Sequence, residues 1–289
     1  MLPLPVPFAL PDEPPTPAAE LAVPPPRVGD VVRANLEPSY FAYGYGYGLE
    51  PLIFEANIAP HFSLFPRGWH AALLLTPKVL LRMFSEESAP VWTPSYMPRL
   101  TLIGWLKDRL EGPTFYGSLT LSHHSNGQAG PFFNPDGSIN HQDGDFSTNY
   151  LELSLAMVLQ QGRFFGWNAL SLEWHPGFNQ NDELEGRYGF WRLHYAATLV
   201  TRLFWEGKIQ LRVSAILDDV QHFSNSPSIG TARRFPVQLR YIGRIPGLEV
   251  GLFAAGYAGQ DYYNIWFDRM VAMGLIGLAG DFSTTLPPE

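Results

Sequence analysis

In the stretch Lys208-Ile209-Gln210-Leu211-Arg212-Val213-Ser214-Ala215-Ile216-Leu217, polar and apolar residues alternate. Successive side chains of a β-strand point to opposite faces, so Ile209, Leu211, Val213, Ala215 and Leu217 share one face and Lys208, Gln210, Arg212 and Ser214 the other. One face is greasy and the other charged. A strand with this pattern fits the wall of a membrane barrel whose outside meets lipid and whose inside is polar.

Working outward from this strand, similar short segments separated by turn clusters fall at 38–47, 51–65, 68–84, 93–106, 114–126, 146–160, 163–175, 188–203, 208–218, 234–244, 247–258 and 268–280. That makes twelve strands, an even number, as single-chain bacterial barrels have. The connections also alternate in character. Phe65-Pro66-Arg67-Gly68, Gln161-Gly162, Glu206-Gly207 and Pro246-Gly247 are tight turns, whereas 85–92, 127–145, 176–187, 219–233 and 259–267 are long. Short periplasmic turns and long extracellular loops are expected of such a barrel. Aromatic residues near strand ends, among them Tyr43, Tyr45, Tyr47, Trp174, Trp191 and Trp205, suit interfacial girdles. A soluble sandwich or lipocalin-like barrel would alternate too, but with fewer Arg, Lys and Glu opposite the apolar face of nearly every strand.

Composition agrees. Only 16% of the 289 residues are charged and 14% are aromatic, a balance short of charge for a fully water-facing surface. No run of about 18 apolar residues occurs, so the sequence offers no spanning helix, and a closed barrel is the other way to satisfy the backbone within a bilayer. The net charge is −8 with Lys and Arg dispersed, which gives no footprint for nucleic acid. Cysteine is absent, which removes disulfides, thiolate metal sites and cysteine nucleophiles. Residues 1–33 read as a Pro-rich periplasmic tail or tether, 34–282 as the barrel and 283–289 as a C-terminal tail. Met1 to Pro26 lacks a basic leader and is broken by prolines, so a signal peptide is expected to have been removed already.

The chemistry concentrates in 114–127, Thr-Phe-Tyr-Gly-Ser-Leu-Thr-Leu-Ser-His-His-Ser-Asn-Gly, and in the strand that follows the next loop. By parity Phe115, Leu119, Leu121, His123 and Ser125 share the outer face, and on the next strand Asn149 joins Leu151, Leu153, Leu155, Met157 and Leu159. Polar groups on a lipid-facing wall are costly and mark function by default. A serine hydroxyl needs a base to take its proton, and the base needs a third group to fix its tautomer. Ser125, His123 and Asn149 supply those three roles. Residues at i and i+2 stand about 7 Å apart along a strand face, within reach of side chains that lean together. Two plainer readings compete: a polar loop entry with Asn126-Gly127 as a turn, and a metal site of His123, His124 and His141, which opposed facing of neighbouring residues makes awkward. His124 is expected inside.

These residues resemble outer-membrane phospholipase A, whose motif is His-x-Ser-Asn-Gly on one strand and an asparagine on the next. His123-His124-Ser125-Asn126-Gly127 and Asn149 match it. Glu37-Pro38-Ser39-Tyr40, Ser95-Tyr96-Met97-Pro98 and Gly256-Tyr257 through Asn264 look like family positions as well, so the resemblance spans about residues 35 to 282. It implies a phospholipase A1/A2-type hydrolase of the bacterial outer membrane, acting on acyl esters of phospholipids and lysophospholipids. Ser125 would be the nucleophile, His123 the base and then the acid, and Asn149 the orienting group, with the Gly127 amide holding the oxyanion. It also implies a calcium ion and a homodimer. The sequence departs from the family in a longer loop before Asn149, in Gln128 where arginine is usual, and in Asp145 where serine is usual. Gln128 and Asp145 are still the candidate calcium ligands, since calcium accepts carbonyl and carboxylate oxygens alike. Two other functions compete: a non-catalytic barrel serving as a structural or assembly partner, and a passive pore. Arg192, Arg202, Arg212, Arg240, Glu152 and His194 argue against a pore, because they should pair inside and plug so narrow a barrel.

Overall fold

The computed structural model describes residues 35–48, 52–64, 71–85, 87, 91–107, 114–161, 164–201, 207–218, 232–248 and 250–280. The two tails, the Phe65-Pro66-Arg67-Gly68 turn, Arg202 and most of 219–233 lie outside them. The strands are β1 Ser39–Tyr47, β2 Leu52–Ile58, β3 Phe62–Leu64, β4 Ala71–Phe84, β5 Ser95–Lys107, β6 Thr114–Ser125, β7 Ser147–Gln161, β8 Phe164–Trp174, β9 Trp191–Thr201, β10 Gly207–Ile216, β11 Val237–Arg244, β12 Gly251–Gln260 and β13 Met270–Gly280. Each pairs antiparallel with its neighbours. The ring closes where β1 meets β13, from Ser39 opposite Gly280 to Tyr47 opposite Ala272, and where β2 meets β4.

The wall is therefore a closed twelve-stranded antiparallel barrel with one short extra strand, β3. The sequence reads 51–65 as one strand; in the structure it is interrupted at Ala59–His61. Pro60 has no N–H to give to a ladder, and His61 turns away to bond Thr76 Oγ1 and the Glu37 carbonyl, both at 2.8 Å. On β4, Pro77 lies opposite this gap, between Val79, which pairs with Ile58, and Leu75, which pairs with Phe62. Pro77 itself faces Pro98 of β5. Proline sits in these central strands because its neighbours ask no hydrogen of it there.

Burial is inverted relative to a water-soluble protein. Leu119, Leu121, Leu153, Leu155, Leu170 and Ile276 are exposed on the outer wall, whereas Glu55 and Arg82 are fully buried inside. Desolvating charge is affordable only with partners. Arg82 donates to Glu55 Oε2 at 2.8 Å and to both oxygens of Asp261 at 2.9 Å; Tyr40 and Tyr262 complete the shell of Glu55. Toward the turn end the interior is apolar, with Ala72, Tyr116, Val158, Phe165 and Val200 packed together. At the loop end an apolar cap of Phe132, Phe146, Leu184, Tyr188, Ile265 and Phe267 covers the mouth. Between them lies a polar cavity of about 340 Å³.

The short coil before β1 enters this interior. Glu37 meets Lys78 at 2.6 Å, Arg99 at 3.0 Å and Arg240 at 3.8 Å, and Asn57 Nδ2 donates to the Pro38 carbonyl. Leu36 packs against the apolar cluster near the turns. Of the residues expected to plug the barrel, Arg192 and His194 both reach Glu173, Arg212 lies 3.7 Å from Glu152, and Arg240 reaches Glu37.

Candidate active site

β6 and β7 form a hairpin in continuous register from Thr114 opposite Val158 to Ser125 opposite Ser147. That register sets His123 directly across from Asn149. Both side chains project from the outer face, and His123 Nδ1 and Asn149 Oδ1 are 2.9 Å apart. Asn149 Nδ2 donates to the carbonyls of Phe178 and Asn179, each at 2.9 Å. An amide nitrogen with its hydrogens so placed leaves the oxygen to face the imidazole. Nδ1 therefore carries the hydrogen, and Nε2 is the nitrogen left with a lone pair. Ser125 stands two residues on, on the same face. Its Oγ makes no hydrogen bond among the described residues, so the Ser125 and His123 side chains are aligned on one face without being joined.

Beyond Ser125 the strand ends in a bend organised by Asn126. This side chain is buried; its Oδ1 accepts from the amides of Phe146 at 3.0 Å and Gln128 at 3.2 Å, and its Nδ2 donates to the Gly144 carbonyl at 2.8 Å. Gly127 follows in the left-handed region at φ 68°, which glycine adopts without steric cost. A Cβ there would come within 3.3 Å of the Tyr96 ring. The Gly127 N–H has no acceptor among the described residues. It is an open donor two residues along the chain from Ser125.

The neighbouring wall is loosened at this level. The β5–β6 ladder runs through Tyr96 opposite Ser125 and resumes at Arg99 opposite Ser122, skipping His123 and His124. Pro98, in the skipped stretch, has no N–H to contribute. His124 faces inward, as parity requires, and packs edge-on against Phe146 at 4.9 Å. His141 is not with it: it bonds Asp268 at 2.9 Å and stacks on Trp266. A joint metal site of the three histidines is thereby ruled out.

The candidate calcium ligands lie in separate hydrogen bonds. Gln128 Nε2 donates to Thr93 Oγ1 at 3.3 Å, and Asp145 Oδ2 accepts from Asn181 Nδ2 at 2.9 Å. Each keeps one oxygen, Gln128 Oε1 and Asp145 Oδ1, without a partner among the described residues. Hard oxygens of this kind suit calcium, although no three His, Asp or Glu side chains converge among the described residues.

This barrel is shared with outer membrane phospholipase A. The Escherichia coli structure superposes with a TM-score of 0.61 at 16% identity, over 88% of this chain and 97% of that one. The Salmonella typhi outer membrane phospholipase, solved as a dimer with bound calcium, gives 0.60 at 15% identity over 86% and 91%. An Escherichia coli active-site mutant gives 0.59 at 15%. No protein-family model matches the chain, and no curated protein matches it by sequence. The likeness is thus one of fold.

Three contributors to the site were not singled out from sequence: the Phe178 carbonyl, the Asn179 carbonyl and Asn181. Asn181 N–H donates to the Ser147 carbonyl, and Asn181 Oδ1 accepts from the Ser147 N–H. A cluster of asparagines in a long loop was visible, but which carbonyls it would aim at Asn149 depends on the fold.

Proposed function

We propose that this protein is an outer-membrane hydrolase of acyl esters in phospholipids and lysophospholipids, of phospholipase A1/A2 type, with Ser125, His123 and Asn149 as its working residues. The single observation that carries this reading is the 2.9 Å contact between His123 Nδ1 and Asn149 Oδ1 on a wall lined mainly by exposed apolar side chains. A hydrogen-bonded imidazole with a free Nε2 beside a serine has no packing reason to face lipid.

In the proposed reaction Ser125 Oγ attacks the ester carbonyl as its proton passes to His123 Nε2. The Gly127 N–H binds the oxyanion that forms. On collapse the ester C–O bond breaks, the lysolipid alcohol leaves with the proton from Nε2, and the acyl group stays on Ser125. A water then attacks the acyl-serine, His123 again taking and returning the proton, and fatty acid is released. Asn149 holds the ring and supports its charged form, less strongly than a carboxylate does. Gln128 and Asp145 are the residues that would hold calcium, which when bound supplies positive charge for the developing oxyanion. Homodimer formation belongs to the same proposal, since the Salmonella typhi relative in fold is a calcium-bound dimer.

Release of fatty acid from phospholipid mixed micelles by refolded protein tests the reading, with calcium or with chelator and with Ser125→Ala beside wild type. Calcium-stimulated release lost in the variant is the expected result. A folded, heat-modifiable barrel that releases nothing under any condition would instead favour the non-catalytic partner role.

A further inference from the structure

A side-chain amide can turn either its oxygen or its NH2 toward a neighbour. For His123 the choice decides everything downstream. An NH2 facing Nδ1 would donate to it and drive the ring proton to Nε2, leaving Ser125 with no acceptor.

The loop between β8 and β9 removes that choice. The carbonyls of Phe178 and Asn179 can only accept, and both take hydrogens from Asn149 Nδ2 at 2.9 Å. Asn179 lies at φ 49°, outside the usual range for a residue with a side chain. Successive carbonyls of an extended chain point to opposite sides; the left-handed turn at Asn179 brings two of them onto one group. The loop is then tied to the start of β7. Asn181 N–H donates to the Ser147 carbonyl at 3.0 Å, Asn181 Oδ1 accepts from Ser147 N–H at 2.5 Å, and Asn181 Nδ2 donates to Asp145 Oδ2 at 2.9 Å. Ser147 Oγ adds a 3.4 Å contact to the Asn179 carbonyl.

We infer that the β8–β9 loop is an amide clamp that makes asparagine, and not aspartate, the working third member of this site, with Asn181 as its positioning residue. A carboxylate at 149 would lose both donations and set an anionic oxygen against two carbonyl oxygens. The general advantage of a carboxylate in supporting imidazolium is reversed here by what stands behind it. Only the protonated acid could donate to a carbonyl and still accept from His123. Among the described residues the titratable group bonded to Asn149 is His123 on β6, and the loop side presents carbonyls.

The inference rests on His123 being the base, yet the tautomer of His123 can be read without any turnover. Protein labelled with 15N at histidine, folded in detergent micelles and checked by heat-modifiable gel mobility, is compared as wild type, Asn149→Asp and Asn181→Ala. Wild type at pH 8 should show Nδ1 protonated and Nε2 bare, and Asn181→Ala a mixture of tautomers with kcat lowered about tenfold and KM little changed. Asn149→Asp should fall at least about tenfold at pH 8, and its rate relative to wild type should rise as pH falls and the carboxyl takes up a proton. An Asn149→Asp protein as fast as wild type at pH 8, or an Asn181→Ala protein with an unchanged tautomer, would overturn the clamp. Tautomers that respond as expected in a protein that hydrolyses nothing would support the clamp and count against the hydrolase reading alone.

Discussion

On the outer face of β6 and β7, His123, Ser125 and Asn149 stand among leucines with one hydrogen bond between the three of them, from His123 to Asn149. Behind the same strands, Glu173 alone accepts from His175 at 3.0 Å and His194 at 3.2 Å and lies 3.5 Å from Arg192, while Thr148 Oγ1 meets the other nitrogen of His175 at 2.8 Å. In this interior cluster carboxylate, imidazole, guanidinium and hydroxyl bond one another, and the result is a plug. Outside, His123 Nε2, Ser125 Oγ and the Gly127 N–H have no partner among the described residues. Hydrogen-bonding capacity left open at membrane depth is costly, and it is what a reacting ester could fill. His123 and His124 make the contrast within two consecutive residues, one aimed at lipid and held by an amide, the other buried against a phenylalanine ring.

The largest effect expected from breaking this contrast is at Ser125. Ser125→Ala should lower fatty-acid release by about four orders of magnitude or more and change barrel stability by less than about 0.5 kcal/mol; rates near wild type would erase the distinction between the faces. Arg82→Ala should do the opposite. Stranding Glu55 and Asp261 without their cation should cost about 3–5 kcal/mol, read as a lower urea midpoint in vesicles, with the rate per folded molecule unchanged. Gly127→Ala sharpens the outer half of the comparison. The left-handed backbone and the Tyr96 ring both oppose a Cβ, so the amide should shift and kcat fall about a hundredfold, more than KM rises. The smallest effect belongs to His124→Leu. Its Nε2 is buried without a hydrogen-bond partner, so a leucine of similar size should change stability by no more than about 1 kcal/mol and leave hydrolysis intact.

Parity made most of this legible in the sequence. The alternation around Lys208 and Ile209 gave the two faces, and applying it to 114–125 placed His123 outward and His124 inward without any structure. Turn chemistry gave the segment boundaries to within a few residues, because Gly, Pro and Asn act locally. Interactions set by closure were not legible. Nothing local says that Pro60 faces a gap opposite Pro77, since that depends on how three strands align. Glu37 lies 41 residues from Lys78 and far from Arg240 along the chain, and only the closed ring brings them together. The aim of the Phe178 and Asn179 carbonyls is likewise a property of a loop folded back on β7. The chemistry of the triad could be proposed from residue types; the selection of asparagine could not.

The coil at Leu36–Pro38 enters the interior while the wall begins at Ser39, so the chain changes roles within a few residues. That junction has a mechanical meaning. A pull on Asn35 would be felt at the Leu36 carbonyl held by Lys208, at the Glu37 ion pairs and at the Asn57 bond to Pro38 before it became shear along the nine-residue ladder between β1 and β13. Glu37 thus stands in series with the wall: the interior ion pairs and the β1–β13 ladder share any load that arrives at the start of β1.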